Sequence, residues 1–335
     1  MTKKRTLLLA LLLTLGILLA GCTGDAENTR EGEGVTLDPN ASQAQGAKPD
    51  IPEKLALNDQ GIPLLQVYLV DEEKNEEMDL ESYLQGVLAG EMKNDWPLEA
   101  LKAQAILART FVLKFNAEKQ SKYPGADIST DIEEAQAYDA TGVNERIEQA
   151  VNETRGMVLS YEGMLPYAWF HAHSGGVTAR AKEGLAYEKD EPGYTKAVAG
   201  KESGDAPAEA REWSASFPAN EVLEAAKKAG MSANGGLETI TVGERGESGR
   251  AVTILINGQS ISAPELRIAL GSTHMRSTLL TSLRLENGRV AMAGKGYGHG
   301  VGMPQWGAYA LAQSGQTAEE IVTYYFQDVT VEKLW

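Results

Sequence analysis

Two helical segments separated by a short break put the tightest limit on what this chain can fold into. Residues 86–111 read GVLAGEMKNDWPLEALKAQAILARTF. Asp79 is placed to cap a helix over 79–92, with Tyr83, Gly86, Val87 and Gly90 along one side. Residues 93–96 form a connection. Pro97, tolerated in a first helical turn, opens a second helix to about 118 with Leu98, Leu101, Ala105, Ala108 and Val112 on one face. The pair reads as a helical hairpin whose first arm ends on one carboxylate, Glu91.

Around this hairpin the pattern mingles strands and helices. LLQVYLV at 64–70 reads as a strand, paired with the region near Met78. Residues 144–154 read as a helix, and 156–161 with 165–170 as a β-hairpin about Glu162 and Gly163. A helix is predicted over 221–229, and LETITVGE and AVTILING are predicted strands joined by RGESGR. Short helices follow over 264–270, 306–313 and 318–326. There is no regular βαβ rhythm and no internal repeat, so the expected class is α+β rather than a doubly wound sheet. With 335 residues and 42% hydrophobic content, the chain can bury a substantial core.

The first 21 residues are expected to be a signal. Lys3, Lys4 and Arg5 precede an apolar run over 7–20, which ends in Leu19-Ala20-Gly21-Cys22. That box resembles the bacterial lipoprotein cleavage site, which implies lipidation of Cys22 and anchoring on the outer face of the cell membrane. Cys22 is the sole cysteine, so no internal disulfide can form. Residues 23–80 hold fourteen acidic and four basic residues, hence ten of the sixteen net negative charges. Residues 22–62 read as a solvated tether, and 63–335 as the folded domain. A basic footprint is missing, which disfavours sequence-independent nucleic-acid binding.

Three stretches could carry chemistry. Glu91 closes a helix where unpaired carbonyls concentrate negative potential, and burial against Val87 and Trp96 adds to this. Both effects favour the neutral acid, the form that can act as a general acid. Lys102 and Arg109, seven residues apart, share a helix face and could orient Glu91 or a polar substrate, while Gln104 lies on another side. AWFHAHSGG places His171 and His173 on one side of a strand, ahead of Ser174, Gly175 and Gly176. Only His274 and His299 remain as further histidines and no HExxH helix is present, so no metal is expected and zinc is the disfavoured alternative. GKGYGHGVGMPQWGAYALAQSG at 294–315 alternates glycines, a pattern that lets backbone meet a ligand closely. Gln305 and Trp306 beside it suit a sugar, which offers an apolar face and hydroxyl edges. No phosphate loop and no GxSxG elbow is present.

Taken together, LESYLQGVLAGEM with PLEALKAQAILARTF, AWFHAHSGG, LRIALGSTHMRST and the glycine-rich stretch resemble, in order and spacing, the stage II sporulation protein D family with its LytB relatives. The resemblance covers 65–334. It implies a lytic transglycosylase acting on peptidoglycan glycan strands in spore engulfment, on strands whose stem peptides an amidase has removed, with the amidase and membrane engulfment proteins as partners. It implies Glu91 as the catalytic acid and places Lys102, Arg109, His171, Ser174, His299, Gln305 and Trp306 on family motif positions; Tyr167 is grouped with them as substrate-binding. Pro304 stands where the family has serine, and the cysteine that holds zinc in some relatives is absent. A lone carboxylate suits this chemistry, because the nucleophile is the substrate's own hydroxyl. The alternatives are a non-catalytic glycan binder that stimulates an amidase, as implied by the LytB relatives, and a two-carboxylate muramidase using Asp95 or Glu99.

Overall fold

The computed structural model describes residues 48–232 and 235–335. The signal segment, Cys22 and most of the tether lie outside these residues. Among the described residues no helix is long and apolar enough to cross a membrane.

The fold is α+β. Strand β1 (Leu64–Leu69) buries Leu65, Val67 and Leu69 on alternate positions and pairs antiparallel with β2 (Lys74–Asp79), with Leu65 opposite Met78. Helix α1 (Leu80–Glu91) follows at once, and the Asp79 side chain accepts from the Ser82 N–H at 3.0 Å. Helix α2 (Leu98–Glu118) starts one residue after Pro97, which occupies the cap position, and packs against α1. Strand β3 (Ile128–Ser129) runs parallel to β1. Helix α3 (Glu145–Glu153) is capped by Asn144 and packs on both α1 and α2.

The hairpin expected over 156–170 does not form. Strand β4 (Met157–Tyr161) turns tightly at Glu162 and Gly163, both at positive φ, and bridges Met164. Pro166 then removes a ladder donor. The partner of β4 is the C-terminal strand, and residues 170–171 form strand β5 (Phe170–His171) elsewhere. Two short helices come next, α4 (Ala181–Leu185) and α5 (Ala208–Arg211). Strand β6 (Glu212–Pro218), helix α6 (Ala219–Lys228), strands β7 (Ile240–Val242), β8 (Thr253–Ile256) and β9 (Gln259–Ser262), helix α7 (Ala263–Ala269) and strands β10 (Leu280–Glu286) and β11 (Arg289–Lys295) build a second apolar cluster around Trp213, Ile254, Leu266 and Val290. It contains two three-stranded sheets, ordered β10-β11-β6 and β7-β8-β9. The chain then returns to the first cluster through β12 (Met303–Pro304), parallel to β5, α8 (Gln305–Gln313), α9 (Ala318–Tyr325) and β13 (Val329–Lys333).

Residues 48–62, expected in the tether, belong to the folded part. Leu55 and Ile62 are buried in the first cluster and Leu57 bridges Pro63. Their apolar side chains gain by leaving water, which a Gly- and Asn-rich composition obscures.

Candidate functional site

Glu91 is the last residue of α1 and is 2% exposed. Its Oε1 accepts the Ala137 N–H at 2.8 Å. Gln305, the first residue of α8, donates Nε2 to the Glu91 carbonyl at 3.1 Å and stands 3.5 Å from Oε2. Burial pushes the carboxyl up to about 7, against the smaller opposing pull of the Ala137 and Gln305 donors. Of the two causes expected from the sequence, burial is the one that raises Glu91, and the helix-end field is not among the causes of the shift. Trp306, next to Gln305 in the chain, meets Trp96 with ring centres 4.6 Å apart, both rings buried; the half-buried Tyr309 lies 5.3 Å from Trp306, and the Lys93 ammonium sits 5.7 Å from the Trp306 ring. A buried acid, a primary amide and an aromatic wall thus converge from segments more than 200 residues apart.

The glycines of 294–302 serve a different end from the one expected. A Cβ on Gly296 would meet the His173 carbonyl at 2.6 Å, one on Gly298 the His171 Cβ at 2.6 Å, one on Gly300 the Arg250 guanidinium, and one on Gly302 the Trp169 carbonyl. All four glycines also have positive φ. The run lies flat on the 169–175 segment, so its bare backbone meets protein rather than ligand.

That contact encloses a second polar cluster. His171 Nδ1 is 3.1 Å from the Val301 carbonyl, and His299 Nδ1 accepts the Val301 N–H at 3.0 Å. Both imidazoles are buried, their rings 5.5 Å apart. Burial, reinforced by Arg267 and Arg250, drives His299 down to about 3, and burial with His299 and Arg250 holds His171 well below its usual value. Both are neutral. Ser174 is fully buried and donates its hydroxyl and, at 2.6 Å, its N–H to Glu202. Arg250, fully buried, donates to the carbonyls of Ser174 and Val177 and to Ser248 Oγ. Ser174 is tied through its carbonyl to Arg250, next to Ala251 of the second cluster, and His171, Ser174 and His299 present almost no surface to a strand. Among the described residues no group of three or more His, Cys, Asp or Glu is placed to hold a metal ion.

Three other expected residues lie away from Glu91. Arg109 is fully buried and forks onto Glu81, Nη2 to Oε2 at 2.6 Å and Nε to Oε1 at 3.1 Å, with Nη1 donating to the Met157 carbonyl at 2.9 Å. It neither orients Glu91 nor faces a substrate, because the helix face it shares with Lys102 is packed rather than open. Lys102 pairs with Glu99 at 2.8 Å and Glu153 at 3.1 Å. Tyr167 donates to Glu118 and lies under the Lys114 ammonium, 4.9 Å from its ring centre. Since Glu91 sits at the turn between the two helices, Lys114 is on the order of 20 Å further along α2 at 1.5 Å per residue.

Of the expected substrate contacts, Gln305 and Trp306 are the ones brought to Glu91. The sequence reading missed Ala137, Tyr309, Glu81, Glu202 and Arg250; no spacing rule marks them, because each meets its partner through tertiary packing. A groove of about 720 Å³ opens along His173, Ser203, Arg211 and Lys295. Its Ser203 N–H donates to the Trp306 carbonyl at 3.3 Å, which ties the groove rim to the start of α8, while Glu91, Trp96 and Gln305 do not line it.

A family model described as stage II sporulation protein matches residues 70–161, and a model of a domain of unknown function matches 191–302. Stage II sporulation protein D of Bacillus subtilis (strain 168) is 30% identical over 288 residues, covering 80% of this chain and 79% of the relative. Its counterpart from Bacillus amyloliquefaciens is 29% identical over 304 residues, 87% of this chain and 83% of the relative. The amidase enhancer of Bacillus subtilis (strain 168) is 27% identical over 291 residues, 74% of this chain but 40% of the relative.

Proposed function

The chain belongs to the stage II sporulation protein D family, and on that premise we propose that it serves the cell wall in sporulation as a lytic transglycosylase with Glu91 as its acid and base. The observation that carries this reading is the buried Glu91 carboxyl, neutral in much of its population near pH 7, beside Gln305 and the Trp96–Trp306 wall.

In the first step Glu91 gives its proton to the glycosidic oxygen as the bond to muramic C1 breaks. In the second its carboxylate takes the proton of the C6 hydroxyl as that oxygen closes onto C1. The product is a 1,6-anhydro end, and no water has to be positioned. Trp96 and Trp306 are buried, so the half-buried Tyr309 packed against both offers the aromatic face for a sugar ring, and the groove along Ser203 takes the rest of the strand. Lipidation at Cys22 would hold the enzyme on the outer face of the membrane, where an amidase partner supplies stem-stripped strands.

The amidase-enhancer relative favours a second reading, a non-catalytic strand binder that stimulates an amidase. One experiment separates the two. Stem-stripped strands are digested with wild type and Glu91→Gln, and the products are weighed by mass spectrometry. The enzyme reading requires anhydro ends from wild type alone. Reducing ends, heavier by one water, would point to a two-carboxylate muramidase. No release by wild type, with strands still bound, would leave the binder.

A further inference from the structure

Glu91 lies under a loop, 131–139, that no sequence motif marks. The loop crosses α1 where two helix positions are glycine. A methyl on Gly90 would stand 2.6–2.9 Å from the Tyr138 nitrogen and the Ala137 carbonyl, and one on Gly86 would collide with the Tyr138 ring. The loop backbone therefore rests directly on the helix. Two bonds fasten it there: Asp139 N–H to the Gly86 carbonyl at 2.9 Å, and Ala137 N–H to Glu91 Oε1 at 2.8 Å. Its outer side is fastened as well. Glu134 accepts from Ser121 Oγ, the Lys122 N–H and Ser129 Oγ, and Asp131 pairs with Lys122 at 2.7 Å.

A short N–H···O bond needs a lone pair on Oε1, which a hydroxyl oxygen supplies poorly. The proton of the neutral acid therefore belongs on Oε2, where the Gln305 amide stands at the longer distance of 3.5 Å. We propose that the 131–139 loop is the positioning element of this site: Gly90 admits it, the Ala137 N–H holds Oε1 as a standing acceptor, and Oε2 carries the proton that is transferred. The transfer rests on the acid reading above, whereas the clamp does not. In the reaction Oε2 loses its proton to the glycosidic oxygen and regains one from the C6 hydroxyl, while Oε1 keeps the Ala137 bond throughout.

The ionisable groups around Glu91 are Tyr83 on α1, Tyr138 and Glu134 on the loop, and Lys93 beyond the helix end. None of them contributes to the shift at Glu91, which comes from burial and the two donors. A pH titration of Glu91 thus reads its burial and these two donors, of which the Ala137 N–H is the clamp.

The test is the Ala137 amide resonance in the full chain, followed from pH 4 to 9 in wild type, Glu91→Gln, Gly90→Ala and Gly86→Ala. In wild type the resonance moves with Glu91 ionisation, and in Glu91→Gln it does not. In Gly90→Ala the amide is pushed off, its titration vanishes, and the Glu91 midpoint rises by about one unit. On stem-stripped strands kcat falls about tenfold, with KM changed less than twofold. Gly86→Ala displaces a ring rather than backbone, so it lowers Tm and keeps the Ala137 titration. A Gly90→Ala protein with unchanged midpoint and Ala137 titration overturns the proposal, as does an equal loss in Gly86→Ala. Amide exchange needs no folded Gly90 variant: Ala137 is protected in wild type and Glu91→Gln, and an unprotected Ala137 in wild type also overturns it. If wild type forms no anhydro ends while Ala137 still titrates, the enzyme reading fails and the clamp stands; the reverse removes the clamp alone.

Discussion

Gln305 and Glu91 are joined by a hydrogen bond from the glutamine amide to the glutamate carbonyl at 3.1 Å, across 214 residues of chain. The bond takes up one of the carbonyls that the end of α1 leaves open. It also fixes the start of α8, and with it Trp306, against Trp96. Burial of the carboxyl in this closed setting raises it to about 7, while the Gln305 and Ala137 donors pull the other way.

The first prediction concerns stability and pH. Glu91 is raised from an ordinary 4.5 to about 7, so between those values the folded state holds a proton that the unfolded state has lost. Its contribution is complete below pH 4.5 and disappears as pH rises through about 7. The shift corresponds to about 3 kcal/mol. Glu91→Gln should match wild type in Tm at pH 4.5 and exceed it at pH 8, measured by calorimetry.

The buried histidines act in the opposite sense. His299 is lowered from 6.5 to about 3, so the unfolded chain binds the extra proton in that window. Stability from this group is full above pH 6.5 and is lost as pH falls towards 3. In denaturant titrations between those values, His299→Asn, which retains an acceptor for the Val301 N–H, should show a shallower acid loss than wild type.

Arg109 should behave as a structural residue. Glu81 accepts from Arg109 and the Gly156 N–H in a buried setting, and from the half-buried Trp335 Nε1. Arg109→Ala leaves that carboxylate without its cation and should cost about 3–5 kcal/mol. With folding secured at low temperature, activity per folded molecule should stay within about twofold of wild type, since the site that Gln305 closes lies elsewhere.

Much of the frame was legible in the sequence, and the reasons are local. Asp79 and Pro97 bound the helix pair through capping and a fixed φ, and the alternation of 64–69 gave away a half-buried strand. The 156–170 hairpin misled because its turn is real, while Pro166 and the competing strand β13 act beyond it. At the site, Glu91, Gln305 and Trp306 could be read from motifs. Arg109 and His299 stand on motif positions too; they are about as buried as Glu91 and Gln305, but their partners are Glu81 and Val301 rather than the Glu91 carboxyl. Ala137 left no mark, because a backbone N–H acts there and any non-proline residue supplies one.

The glycine tract gives a sharp contrast. Gly302→Ala would place a methyl against the Trp169 carbonyl at φ +71°, and should cost at least about 3 kcal/mol. Gly288 has a similar φ, +73°, with open space around it, so Gly288→Ala should cost only about 1 kcal/mol. Equal losses at the two positions, read from urea midpoints, would contradict the packed-tract account.

The most direct measurement is a carbon-13 titration of the Glu91 side-chain carboxyl, assigned by comparison with Glu91→Gln. The account predicts a midpoint near 7, well above an ordinary carboxylic acid. A midpoint at the ordinary 4.5 would leave Glu91 almost wholly ionised at neutral pH and contradict its role as the proton donor.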